Sequence, residues 1–166
     1  MQALINFSLA LYPQGFGIGL GYGTNKMLSG EIAFITADMW NIKFIFGSQI
    51  PNGTEGEYYD TINWDEFSED HIKEGSYWSR IDLGIGKTFG NFYINGILGY
   101  APKTLYRNCF DEFHILGDNG YYHKTVKGGG KINIGADLGV YIDKFYIGLD
   151  ASTVGGINAK IGFIFL

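Results

Sequence analysis

Three histidines, His71, His114 and His123, are the side chains here best suited to moving protons near neutral pH. All three fall in two polar stretches, about 48–75 and 102–130. In the first, Asp65, Glu66, Ser68, Glu69, Asp70 and His71 set carboxylates beside an imidazole, and Glu55, Glu57, Asp60 and Glu74 add to them against the lone base Lys73. Hard cations take several oxygens from one such loop, but the spacing is neither that of an EF-hand nor HExxH. The stretch reads as an acidic solvated loop, and no metal or cofactor is expected. Ser68 and Ser76 flank His71 with the residue types of a nucleophile and its base. No His-x-Ser pair accompanies any of the three histidines, and no catalytic residue is assigned.

The second stretch sets Lys103, Arg107, Lys124 and Lys127 against Asp111, Glu112 and Asp118. Those bases are of a kind that meets lipid phosphates. Tyr58-Tyr59 and Tyr121-Tyr122 supply aromatic contact area, and with Asp65, Glu66, Glu69, Asp70 and His71 they form the candidate binding set of the loops. Lys127-Gly-Gly-Gly-Lys131 resembles a phosphate loop only superficially, since no Gly-Lys-Ser/Thr follows. It is expected to be a flexible junction between loop and strand. A net charge of -5 without clustered bases excludes a nucleic-acid partner. Cys109 has no second cysteine to pair with.

The elements that position these residues follow from alternation. The run Ile157-Asn-Ala-Lys-Ile-Gly-Phe-Ile-Phe-Leu166 is apolar at every second residue, as a strand with two unlike faces must be. The same period appears in Phe16–Tyr22, Ile32–Phe34, Trp40–Phe46, Tyr77–Ile85, Phe92–Tyr100, Ile132–Val140 and Phe145–Ala151. That makes eight strands, joined by short connections at Ala37–Trp40, Phe89–Phe92 and Ile142–Phe145 on one end, and on the other by the two long loops and two further short connections around Thr24–Lys26 and Thr153–Gly156. Charged residues are 17% of the chain against about 25% in ordinary domains, while aromatics are also 17% and Gly supplies 26 of 166 residues. No run approaches the roughly 18 to 20 apolar residues of a spanning helix, so a bilayer would be crossed by strands. The expected fold is all-β: an antiparallel up-and-down transmembrane barrel over residues 16–166.

Residues 1–15 stand apart, as an extra strand, an arm or the remnant of a signal. The apolar start has no Lys or Arg before it, so it lacks the charged region of a secretory signal, and the chain reads as mature or trimmed. Aromatics near the strand ends, Phe16, Trp40, Phe89, Phe92, Tyr141 and Phe145 on one side and Tyr22, Tyr77 and Tyr100 on the other, fit two interfacial girdles.

Which face is inside is decided by the residues between the apolar ones. These are glycines such as Gly17, Gly19 and Gly21, with scattered charges. Of 29 charged residues 16 lie in the long loops, and on the strands Glu31, Asp82, Asp137 and Asp150 stand against Lys43, Arg80, Lys131 and Lys160. An eight-strand barrel is narrow enough to be filled by side chains, and a charge left alone there costs several kcal/mol. The expectation is a filled, polar and neutral lumen in which these eight residues pair.

In this patterning the chain resembles the small eight-stranded outer-membrane barrels of Gram-negative bacteria, the class of the OmpA membrane domain, OmpX and the opacity-type proteins. Lys160-x-Gly162-x-x-Phe165 resembles the C-terminal signal read by the barrel-assembly machinery, except that Leu166 stands where an aromatic is usual. The resemblance implies the bacterial outer membrane as location, with its lipids and lipopolysaccharide, and other outer-membrane proteins, as partners. It implies a structural or binding role exercised through the loops. Two alternatives stay open: an accessory subunit of a larger outer-membrane complex, and an enzyme that modifies lipid A, as some members of the class are. Richness in Ile, Asn, Lys and Tyr suits a Bacteroidetes-type source.

Overall fold

A computed structural model of the chain describes residues 13–58, 70–117 and 119–165. It contains nine strands: β1 (Pro13–Gly23), β2 (Met27–Thr36), β3 (Trp40–Gln49), β4 (Glu57–Tyr58), β5 (Asp70–Phe89), β6 (Phe92–Phe110), β7 (Tyr121–Ile142), β8 (Phe145–Ser152) and β9 (Gly156–Phe165). The sheet order is β4-β7-β6-β5-β3-β2-β1-β9-β8, and β7 also pairs with β8. Leaving out the two-residue β4, eight antiparallel strands follow one another around a closed ring. Closure satisfies the backbone groups that an open sheet would leave bare in a bilayer. β1 meets β9 from Phe16↔Phe165 to Gly23↔Asn158, so the last strand seals the first. Most of the leading segment, residues 1–12, lies outside the described residues, while Pro13, Gln14 and Gly15 belong to β1.

The short connections are tight because a residue with positive φ sits in each. Met39 (φ 62°), Gly90 (φ 58°) and Asp143 (φ 56°) turn the chain between β2 and β3, β5 and β6, and β7 and β8.

The chain divides into two compact units. The first, residues 13–49, 79–101 and 131–165, is the barrel. Its outward positions are apolar and exposed, among them Ile18, Leu20, Phe44, Ile81, Leu83, Ile94, Leu98, Ile134, Leu138, Ile147 and Ile161. Water would penalise this surface, whereas hydrocarbon does not. Near one end, ring contacts run without a break through Phe145, Phe163, Phe165, Phe16, Phe34 and Phe44, an aromatic belt that crosses the closing seam. Tyr141, expected in that girdle, instead faces the interior beside Tyr93 and Tyr146, because it shares the inward parity of Asp137 and Gly139.

The second unit, residues 50–58, 70–78, 102–117 and 119–130, carries the remaining lengths of β5, β6 and β7. Strand therefore runs through much of what alternation left as loops. The reason is visible in the faces. In the barrel, odd residues of β6 and β7 are the covered ones (Tyr93, Asn95, Ile97; Asn133, Asp137), whereas in the second unit even residues are covered (Tyr106, Asn108; Tyr122). The alternation slips by one residue around Pro102–Thr104 and Gly128–Gly130, as at a β-bulge, and a period-two count breaks there.

Candidate functional site: the closed lumen and the loop unit

β1 makes room for the interior contents. Its inward residues are Gly15, Gly17, Gly19, Gly21 and Gly23. A Cβ on Gly19 would overlap the Tyr146 hydroxyl, one on Gly162 of β9 would overlap the Tyr146 ring, and one on Gly23 would overlap Asn158. Into this space the other strands send long polar side chains.

Two linked clusters result. In one, Glu31 on β2 receives Lys43 of β3 at Oε1 (2.9 Å) and Lys160 of β9 at Oε2 (2.6 Å). The same two amines reach Asp137 of β7, Lys43 at 2.9 Å and Lys160 at 2.7 Å. Two bases thus alternate with two acids. Tyr146 donates to Glu31 Oε1 at 2.6 Å, Asn95 donates to Asp137 Oδ2 at 3.1 Å, and the Lys43 amine lies 3.8 Å from the centre of the Tyr93 ring. In the other cluster, Arg80 of β5 grips Asp150 of β8 through two parallel bonds of 2.9 and 3.0 Å, the fork geometry that suits guanidinium and carboxylate. Asp82 lies 3.5 Å from Arg80 Nε and accepts both of its bonds from Asn133, and Asn158 donates to Asp150 Oδ1 at 2.9 Å. A contact of 3.8 Å from Lys160 to Asp150 joins the clusters.

Seven of the eight charges assigned to the lumen are fully buried there: Glu31, Lys43, Arg80, Asp82, Asp137, Asp150 and Lys160. Lys131 is not one of them. It is exposed, at the position where β7 slips phase, so the parity that assigned it inward no longer holds. The buried set is four acids and three bases, one base short of neutrality. The expected count also passed over the neutral partners. Asn95, Asn133, Asn158, Tyr93 and Tyr146 donate further hydrogen bonds to the four carboxylates, and they share the inward period of the charges along β6 to β9.

Both mouths of the lumen are filled. On one side stand Tyr93, Tyr141, Tyr146 and Ile164, and the Tyr141 hydroxyl is bonded to Asn41. On the other, the β8–β9 turn folds inward, so that Val154 and Gly155 are buried while the turn residues Lys26, Asp38, Gly90, Asn91 and Lys144 are exposed. Asn133 accepts from Val154 N at 3.0 Å, Asn25 donates to Val154 O at 3.1 Å, and Gly155 N donates to Ser152 Oγ at 3.0 Å. The backbone of Gly155 packs over the Arg80 guanidinium.

In the loop unit, residues 50–56 lie across β6. Tyr106 donates to Asn52 O and Asn108 to Gly53 O, each at 2.6 Å, and β4 then pairs in parallel with β7 at Glu57↔Tyr122 and Tyr58↔His123. Tyr58 is exposed and contacts the His123 ring, Tyr122 is buried with Cys109 and Leu116, and Tyr121 packs on Phe110. The tyrosines of the candidate set are therefore split between surface and interior. His123 Nδ1 lies 3.2 Å from Glu55 O, and His114 meets the Phe110 ring edge-on. Tyr59, Asp65, Glu66 and Glu69 lie outside the described residues, and of the side chains of Asp70 and His71, on β5, nothing is described. Among the described residues no group of three or more His, Cys, Asp or Glu is placed to hold a metal.

The 111–120 turn between β6 and β7 has its own organiser. Asp111 Oδ1 accepts from Phe113 N at 3.0 Å, and Oδ2 accepts from Ile115 N at 2.8 Å and Leu116 N at 3.0 Å. Burial pushes this carboxyl up, but the donations from Leu116, Phe113 and Ile115, helped by nearby His114, outweigh it and hold the carboxyl below its ordinary range.

No protein-family model matches the chain, and no curated protein sequence matches it significantly. Solved structures do. The outer-membrane protein Ail of Yersinia pestis, in a phospholipid bilayer nanodisc, shares the fold with a TM-score of 0.53 at 14% identity, over 91% of this chain and 99% of that one. The N-terminal β-barrel domain of Pseudomonas aeruginosa OprF aligns over 92% and 98% at 12% identity with a TM-score of 0.46. A crystal structure of Ail with the heparin analogue sucrose octasulfate aligns over 91% and 95% at 10% identity with a TM-score of 0.49. The chain has the fold of the eight-stranded outer-membrane barrels.

Proposed function

We propose that this protein is a non-enzymatic barrel of the Gram-negative outer membrane whose loop unit does the binding at the cell surface. The observation that carries this reading is the closed lumen. Seven buried charges, their asparagine and tyrosine partners and the inward-folded β8–β9 turn fill the described interior of the barrel, which supports a scaffold over a conduit. The apolar exterior belongs in lipid, and the bases Lys103, Arg107 and Lys127 of the loop unit suit the phosphates of lipopolysaccharide.

Refolding into liposomes tests the reading. The expected result is a barrel resistant to added protease, loop residues that are cut from outside, and a band whose gel mobility changes on boiling. A monomer that stays soluble without detergent and shows no boiling shift would overturn it. A role as accessory subunit predicts a larger particle on extraction in gentle detergent, and a lone monomer speaks against that role. A lipid A-modifying enzyme predicts a changed acyl pattern after incubation with lipopolysaccharide, and an unchanged mass spectrum removes that alternative.

A further inference from the structure

The run Lys127-Gly-Gly-Gly-Lys131 on β7 is only partly explained by the fold. A Cβ on Gly128 would stand 2.8 Å from Lys103 O on β6 and 3.3 Å from Leu105, so crowding favours glycine there. At Gly129 a Cβ would meet no atom within 4 Å, and none of the three glycines has a positive φ. Gly129 and Gly130 are exposed, and they leave bare backbone where a strand ordinarily carries side chains. Glycine inside a strand marks a bulge, as at Gly128, or a place where a ligand comes close to the main chain. That main chain is also an edge. β4 pairs with β7 only at Tyr122 and His123, and β8 pairs with it only from Gly135 onward, so among the described residues no strand covers this side of β7 between them. An edge of this kind presents unpaired N–H groups.

Two amines stand beside the glycines. Lys127 is exposed, and Lys103, alongside Gly128, holds its amine 5.7 Å from the centre of the Trp78 ring. Among the described residues neither lysine meets a carboxylate, whereas Arg107 is held by Glu74 at 2.7 Å. Ammonium groups beside exposed backbone N–H groups favour an oxyanion. β7 runs on through the glycines without a helix, so the run is no nucleotide loop. Lys103 is the second residue of the loop unit along β6 and Gly130 its last along β7, which keeps both within a few residues of the strand lengths that meet lipid. We propose that Lys103, Lys127 and the main chain of Gly128–Gly130 form a phosphate site, filled by the phosphomonoester of an outer-leaflet lipid headgroup or by free inorganic phosphate. The proposal rests on the reading of the loop unit as the binding part of the protein, and it narrows that unit's phosphate-binding bases to two, because Arg107 is occupied by Glu74.

The test uses the full chain refolded in dodecyl maltoside, a detergent without phosphate, and follows the amide resonances of Gly128, Gly129 and Gly130. The probes are bisphosphorylated lipid A, lipid A stripped of its phosphates, and inorganic phosphate. Saturable shifts are expected with bisphosphorylated lipid A, and binding at least tenfold weaker with the stripped form. The Lys103→Ala/Lys127→Ala double variant should bind at least tenfold more weakly, and Arg107→Ala within about twofold of the unaltered protein. Tighter binding of lipid A than of inorganic phosphate supports the site with a headgroup as its ligand, and equal binding of the two supports it with free phosphate. Equal binding by the stripped lipid or by the double variant overturns the proposal, as does the absence of any shift. Retention of the boiling shift by every variant shows that the barrel is intact. Lipid A bound undiminished by the double variant then shows that the loop unit binds through other residues, so that the site falls while the surface-binding reading stands.

Discussion

The Tyr146 hydroxyl donates to Glu31 Oε1 at 2.6 Å across the lumen, although 115 residues separate the two in sequence. Only glycine at positions 19 and 162 leaves space for that phenol. Gly19→Ala and Gly162→Ala should each force Tyr146 off Glu31 and destabilise the barrel by about 1–3 kcal/mol. Gly96→Ala, where the nearest heavy atom is 4.0 Å away, is the control and should be close to neutral. Urea unfolding midpoints in lipid vesicles check this, and equal midpoints for all three variants would show that the glycines are not space-makers.

Lys43 and Lys160 bridge Glu31 and Asp137, so removing one base leaves two buried acids sharing the other. Lys43→Met should cost about 3–5 kcal/mol, the range for breaking a buried ion pair from one side. Arg80→Ala, which strips Asp150 of both guanidinium bonds, should cost a similar amount. In the Lys43→Met/Glu31→Gln double variant part of that loss should return. Strict additivity of the two single losses would argue that the residues do not interact.

Lys131 is exposed, and Lys131→Ala should shift stability by less than about 1 kcal/mol. A loss matching that of Arg80→Ala would return Lys131 to the lumen and restore the four-to-four balance expected from sequence.

Asp111 gives the loop unit a defined acid limit. Its carboxyl is held below the ordinary value of about 3.9, so its folded form is stabilised above that pH and loses this support as pH falls through the lower, folded-state value. The part of the Phe113, Ile115 and Leu116 amide response that belongs to Asp111, the part Asp111→Asn removes, should therefore come only below about pH 4. A midpoint above 4 in that part would show that the carboxylate does not accept these bonds.

Much of the barrel was legible because alternation is strict where one face meets lipid: the eight strands, three tight turns and seven inward charges all follow from parity. Parity fails where strands slip, which is why Lys131 and the lengths of β5, β6 and β7 in the loop unit were misplaced. It was also read too narrowly. Tyr141 was assigned to the girdle because aromatics are common there, although its own parity points inward. Asn133 and Asn158 went unnoticed because amides carry no charge to be balanced, yet Asn133 holds both Asp82 and the Val154 turn. The Asp111 turn has no periodic signature, since its order comes from backbone donors that any sequence supplies.

The lumen is closed by the tyrosines at one mouth and by the Val154–Gly155 turn at the other. Single-channel recording of the refolded protein in a planar bilayer at neutral pH tests it most directly. A flat baseline is expected in the unaltered protein. Persistent, voltage-independent conductance steps in that protein would contradict it.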